Sequence, residues 1–129
     1  MRGANVKRRV TELIKDRFGV DPDYPFAEYG DGAAVFRNPR SKKWFGIIMR
    51  DIPLSKLGVD SLERVDVINL KIDPMLSFTV IDNKRIFKGY HMNKEHWITV
   101  LLDGSVPPEE LEDLISMSYV LIEQKARRK

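Results

Sequence analysis

An α+β domain, with helices on one face of an antiparallel sheet, follows from three features of this 129-residue sequence. Amphipathic stretches of helical period lie near each end. Between them run β-like segments rich in isoleucine, valine and aromatics. Proline, glycine and asparagine clusters punctuate those segments at short intervals.

Residues 4 to 18 place Val6, Val10, Leu13, Ile14 and Phe18 on one helical stripe, with Lys7, Arg8, Arg9, Lys15 and Arg17 largely off it. Gly19 supplies the left-handed residue that ends this helix, and the Asp21-Pro22 and Tyr24-Pro25 steps make residues 19 to 32 a loop. Ala33 to Phe36 and Lys43 to Arg50 are β-like, and Asn38-Pro39-Arg40-Ser41 between them makes a hairpin. Residues 51 to 63, with Pro53, Gly58 and Asp60, have no settled period and form an excursion before a third strand over Val65 to Ile72. Asp73-Pro74 pairs a carboxylate N-cap with proline at the first helical position, which predicts a short helix to about Val80. Asn83 to Lys88 is polar and basic. His96 to Leu102 is another strand, closed by Asp103-Gly104. A last helix opens at Pro107-Pro108-Glu109-Glu110 and carries Leu111, Leu114, Ile115, Ser118 and Ile122 on one stripe. The order is α-β-β-β-α-β(β)-α in a single domain over 1–129, with a short basic tail from about residue 124.

Composition excludes several classes of function. Cysteine is absent, so disulfides, thiolate metal sites and cysteine nucleophiles are ruled out. The longest apolar stretch, Trp44 to Met49, is far short of the ~20 residues a membrane helix needs, and the charged N-terminus does not read as a secretory signal. A cytoplasmic protein is expected. His91 and His96 match no metal-ligand spacing, no nucleophile elbow is present, and the glycines form no phosphate-cradling loop. Glu109-Glu110 and Asp21/Asp23 are accounted for by a helix dipole and by turns. No catalytic residue, metal or cofactor is expected.

The net charge is +3, which permits an anionic partner without demanding one. Cations collect at Lys7 to Arg9, Arg40 to Lys43, Lys84 to Lys88 and Lys125 to Lys129. The segment Gly89-Tyr90-His91-Met92-Asn93-Lys94-Glu95-His96-Trp97 packs donors, a cation and two large rings into nine residues. It suits base stacking and phosphate contact, or equally a core plug of Tyr90 and Trp97 whose turn is closed by His91, Asn93 and His96. Periodicity does not separate these two.

The stretch GYHMNKEHWITVLLDGSVPPEELEDLISMSY (89–119) closely resembles the MmcQ/YjbR family of small bacterial proteins. So do DYPF (23–26), AVFRNP (34–39), KKWFGIIM (42–49) and NLKIDP (69–74), in the expected order and spacing, whereas SFTVIDNKRIFK (77–88) is less typical. The resemblance implies an α-β-β-β-α-β-α sheet like that of type III secretion chaperones. It also implies DNA binding, since members are described as DNA-binding through likeness to a "double wing" domain of a phage transcription factor. No catalytic residues come with it.

Three functional classes follow. The first is a non-enzymatic DNA-binding protein, with Lys43, Lys71, Lys88 and Lys94 meeting phosphates and Tyr90, His91, Asn93, His96 or Trp97 near bases. The second is a protein-binding adaptor or chaperone-like module that uses the open sheet face. The third is an enzyme or small-ligand binder built on His91 and His96.

Overall fold

The computed structural model describes residues 2–26 and 32–127. The middle of the 19–32 loop and the end of the basic tail lie outside the described residues. The chain runs α1 (Arg2–Phe18), β1 (Ala34–Arg37), β2 (Trp44–Pro53), a 3₁₀ turn (Leu54–Leu57), β3 (Arg64–Lys71), α2 (Pro74–Val80), β4 (Ile86–Lys88), β5 (Trp97–Leu101) and α3 (Pro108–Arg127). The five strands form one antiparallel sheet in the order β1-β2-β3-β5-β4. This is the α+β fold the sequence predicts, with β4 as the optional extra strand.

Local chemistry sets most boundaries where expected. Gly19 is left-handed (φ 68°), and its N–H donates to the Lys15 carbonyl at 2.9 Å. Asp73 caps α2 by accepting from the Met75 N–H at 2.9 Å, with Pro74 at the first helical position. The hairpin turn is closed by Asn38, whose side-chain oxygen accepts from the Arg40 and Ser41 N–H groups. β2 departs from expectation by continuing past Arg50 to Pro53. A bulge at Asp51 (φ 59°), whose N–H donates to the Asp66 carboxylate, lets the strand bend and still pair with β3.

The helices cover one face. Val6, Val10 and Ile14 of α1 and Leu111, Leu114, Ile115 and Ile122 of α3 bury against Ala34, Phe36, Ile48, Ile68, Leu70, Ile86, Ile98 and Val100 of the sheet. Phe45 anchors this core, edge-on to Phe18 and Tyr119 with ring centroids 6.0 and 5.0 Å away. Ser118, the polar member of the α3 stripe, is fully buried. Its hydroxyl donates to the Phe45 carbonyl at 2.7 Å and accepts from the Lys71 N–H at 2.9 Å, tying α3 to both central strands.

The opposite face is not the open surface that the adaptor reading expects. Val35, Ile47, Val67, Phe87, Trp97 and Leu101 point to it, and all are buried. Three irregular segments close it: Phe26 and Ala33 of the loop before β1, Met92 of the 89–96 loop, and Ile52, Leu54, Leu57 and Val59 around the 3₁₀ turn. The physical reason is the apolar character of both faces of β5, all five of whose residues are buried.

Asp82 shapes the entry to β4. Burial favours its neutral form, but hydrogen bonds from the Arg85, Lys84 and Ile86 N–H groups and from the Arg85 guanidinium outweigh this and hold its carboxyl well below the usual range. A carboxyl depressed in the folded state stabilises the fold above its unfolded pKa of about 3.9, and that contribution is lost as pH falls below it. Asp82→Asn should therefore lower stability at neutral pH and flatten the loss of stability on acidification below about pH 4. Denaturant titrations of both proteins across that range check this.

Candidate nucleic-acid interface

The nine site residues expected from sequence do not share one surface. Trp97 is core, 6% exposed, packed beside Val35, Ile47 and Met92. The Lys71 ammonium lies over its ring, 5.0 Å from the centroid, because Lys71 and Trp97 are direct partners across β3 and β5. Lys43 is exposed at the β1–β2 turn, away from this group. His96 is half-buried, and its Nδ1 is enclosed without a hydrogen-bond partner. Asn93 closes the turn by accepting from the Glu95 N–H through its side chain and from the His96 N–H through its carbonyl.

Three of the other four, Lys88, Tyr90 and Lys94, converge on a cleft of about 180 Å³, together with Lys56, Leu57, Asn83 and Phe87. Each wall has a local cause. Lys56 rides on the 3₁₀ turn that Leu54 and Leu57 seat against the sheet. Asn83 is held left-handed (φ 58°), a conformation asparagine tolerates better than most residues. Lys88 ends the edge strand β4. The Lys94 ammonium donates to the Gly89 carbonyl at 2.9 Å, which fixes the side chain and leaves two N–H groups for a ligand.

Gly89 must be glycine. An added Cβ would stand 2.8 Å from Trp97 Cβ and 3.0 Å from its carbonyl oxygen. Tyr90 is held at both backbone atoms: its N–H donates to Thr99 Oγ1 at 2.8 Å, and its carbonyl accepts from Asn69 Nδ2 at 2.9 Å. Thr99 Oγ1 in turn donates to Asn69 Oδ1, and both side chains are fully buried. The loop tip is His91, exposed and left-handed (φ 62°), its ring centroid 3.9 Å from that of Tyr90.

No carboxylate lines the cleft. Among the described residues, the surface arginines are largely committed to acids: Arg37 to Asp23, Arg64 to Asp51, Arg85 to Asp82 and Glu110, Arg17 to Glu112 and Arg40 to Glu123. Lys56, Lys88 and Lys94 form no ion pair there. Three ammonium groups around one concavity repel one another and favour an anion. No group of three His, Cys, Asp or Glu side chains able to hold a metal occurs among the described residues, and no helix there is long and apolar enough to cross a membrane.

Sequence reasoning missed Lys56 because it lies some thirty residues from the 89–97 segment. The spacing of Leu54, Leu57 and Val59 was the available signal that this excursion packs down beside it.

The fold and cleft define a small α+β protein with a five-stranded antiparallel sheet and a cationic edge. The family model described as YjbR matches residues 16–121, and the chain belongs to the YjbR family. The uncharacterized protein YyaQ of Bacillus subtilis (strain 168) is 40% identical over 108 residues, covering 84% of this chain and 90% of that protein. The uncharacterized protein YjbR of Escherichia coli (strain K12) is 34% identical over 62 residues, 47% of this chain and 52% of that one. A crystal structure from Pseudomonas syringae superposes with a TM-score of 0.81 at 39% identity, covering 89% of this chain and 97% of the other. A Deinococcus radiodurans structure described as a DUF419 domain gives 0.70 at 26% identity, covering 93% and 80%.

Proposed function

We propose that this protein is a non-enzymatic, cytoplasmic DNA-binding module that grips backbone phosphates in the Lys56/Lys88/Lys94 cleft. The observation that carries this reading is the convergence of three lysines that form no ion pair among the described residues, with Asn83 and Tyr90, around a concavity without acids. Phosphate contacts position a protein on DNA without reading its sequence. Trp97 is buried, so the rings available near bases are Tyr90 and the exposed His91. Binding is therefore weakly sequence-dependent. The adaptor reading draws less support, because among the described residues loops pack over the second sheet face.

Fluorescence anisotropy with labelled duplex DNA tests the proposal. Three phosphate contacts give a log–log salt slope near −2.7, so affinity should fall roughly 40-fold between about 50 and 200 mM salt. Absence of saturable binding at the lower salt, or binding indifferent to salt, would refute it.

A further inference from the structure

Among the described residues, Tyr24 and Leu62 are exposed apolar side chains on separate loops, while the other large ones gather on the helix layer. Met75 and Phe78 of α2 are 77% and 76% exposed, and Leu76, Met117 and Val120 also reach solvent. α2 has its polarity reversed. Met75 and Phe78, three residues apart, share its outward side; no residue of the helix is buried, and its sequence from Pro74 to Val80 carries no charge. Beside this ridge lies a groove of about 510 Å³ between α2 and α3, floored by Ile72, Leu76, Met117, Val120 and Leu121.

We infer that the α2–α3 face is a self-association surface, and that its occupant is the same face of a second copy. Two observations select a copy of this chain. A two-fold contact must be self-complementary, and here a protruding Met75/Phe78 ridge lies next to a groove that can receive its equivalent. The two exposed carboxylates at the groove rim, Asp73 and Asp113, oppose their twins most at low salt, so screening favours the association.

Area is the second. With about 150–250 Å² per fully exposed large side chain, the patch presents on the order of 500 Å². Two copies together bury about 1,000 Å², the lower bound of a specific interface, so the dimer is reversible and micromolar. Nucleic acid does not fit a face whose centre is uncharged.

Sedimentation equilibrium of the full chain without DNA, from about 1 to 500 μM, should show the mass rising from one chain toward two. Because the contact is apolar, the association should persist at high salt, unlike binding in the lysine cleft. Phe78→Glu and, across the groove, Val120→Glu should each weaken the dimer at least about tenfold. Both positions are exposed, so thermal unfolding of the monomer should change little. If one variant fails to fold, the other reads the same contact. A single-chain mass across the whole range, or a dimer untouched by the substitutions, overturns the inference.

Discussion

Replacing Lys56, Lys88 and Lys94 together by glutamate is expected to reduce duplex DNA affinity at least about 100-fold at low salt, equivalent to roughly 2.7 kcal/mol, and to remove most of the salt slope. The size of the effect comes from sign reversal, which replaces three attractions to phosphate with three repulsions inside one concavity. The Lys56 and Lys88 replacements should each leave stability within about 0.5 kcal/mol, since both side chains are exposed and make no ion pair among the described residues. Single alanine substitutions divide the effect. Lys56→Ala and Lys88→Ala should each lower the slope by about 0.9, whereas Lys94→Ala also frees the Gly89 carbonyl and should disturb the loop. Lys94→Arg keeps the charge and should restore binding. Unchanged affinity and slope in the triple variant would place any DNA contact elsewhere, with exposed Lys43 at the opposite hairpin the next position to replace.

The elements governed by local chemistry were legible in the sequence. Asp73-Pro74 announces α2 because an N-cap and an N1 proline act within one turn, and the α3 stripe of Leu111, Leu114, Ile115, Ser118 and Ile122 is buried as its period requires. What stayed open depends on distant pairing. β4 is three residues, Ile86–Lys88, inside a polar basic run, and it is a strand only because β5 accepts it as a neighbour. The closed second face was only partly readable: the spacing of Leu54, Leu57 and Val59 says that the excursion packs down, but not that it lies on Val67 and Phe87 or that Met92 lies on Trp97.

The 89–97 segment shows the same division. Its turn chemistry at Asn93 could be read, but the burial of Trp97 could not, because β5 is apolar on both faces and alternation carries no information there. The cleft brings Lys88 and Lys94 to Lys56 through tertiary packing alone, while the Lys71 ammonium goes to the Trp97 ring.

Thr99→Val should destabilise the protein by about 2–4 kcal/mol, a large share of the 5–15 kcal/mol that holds a typical domain together. The shapes match closely, so packing contributes little to this loss. The hydroxyl, however, accepts from the Tyr90 N–H and donates to Asn69 Oδ1 at a site where both Thr99 and Asn69 are fully buried. Removing it leaves one donor and one acceptor without partners in a low-dielectric interior, which costs more than the hydrogen bonds gained on folding. Thr99→Ser keeps the hydroxyl and loses only a methyl, so it should cost about 1 kcal/mol. Chemical denaturation of both variants separates the polar contribution from the packing one.

The same substitution links the core to the cleft. Asn69 and Thr99 are the pins that hold Tyr90, and Lys94 hangs on the adjacent Gly89 carbonyl, so freeing Tyr90 loosens two walls of the cleft at once. Amide exchange in residues 89–96 should accelerate in Thr99→Val while that of β2 and β3 follows only the global stability. DNA affinity should fall several-fold, because the lysines keep their charge but lose their fixed geometry. A Thr99→Val protein with wild-type exchange in the loop would show that the Trp97 packing alone holds the segment, and the Asn69–Thr99 pair would then contribute to the sheet without positioning the site.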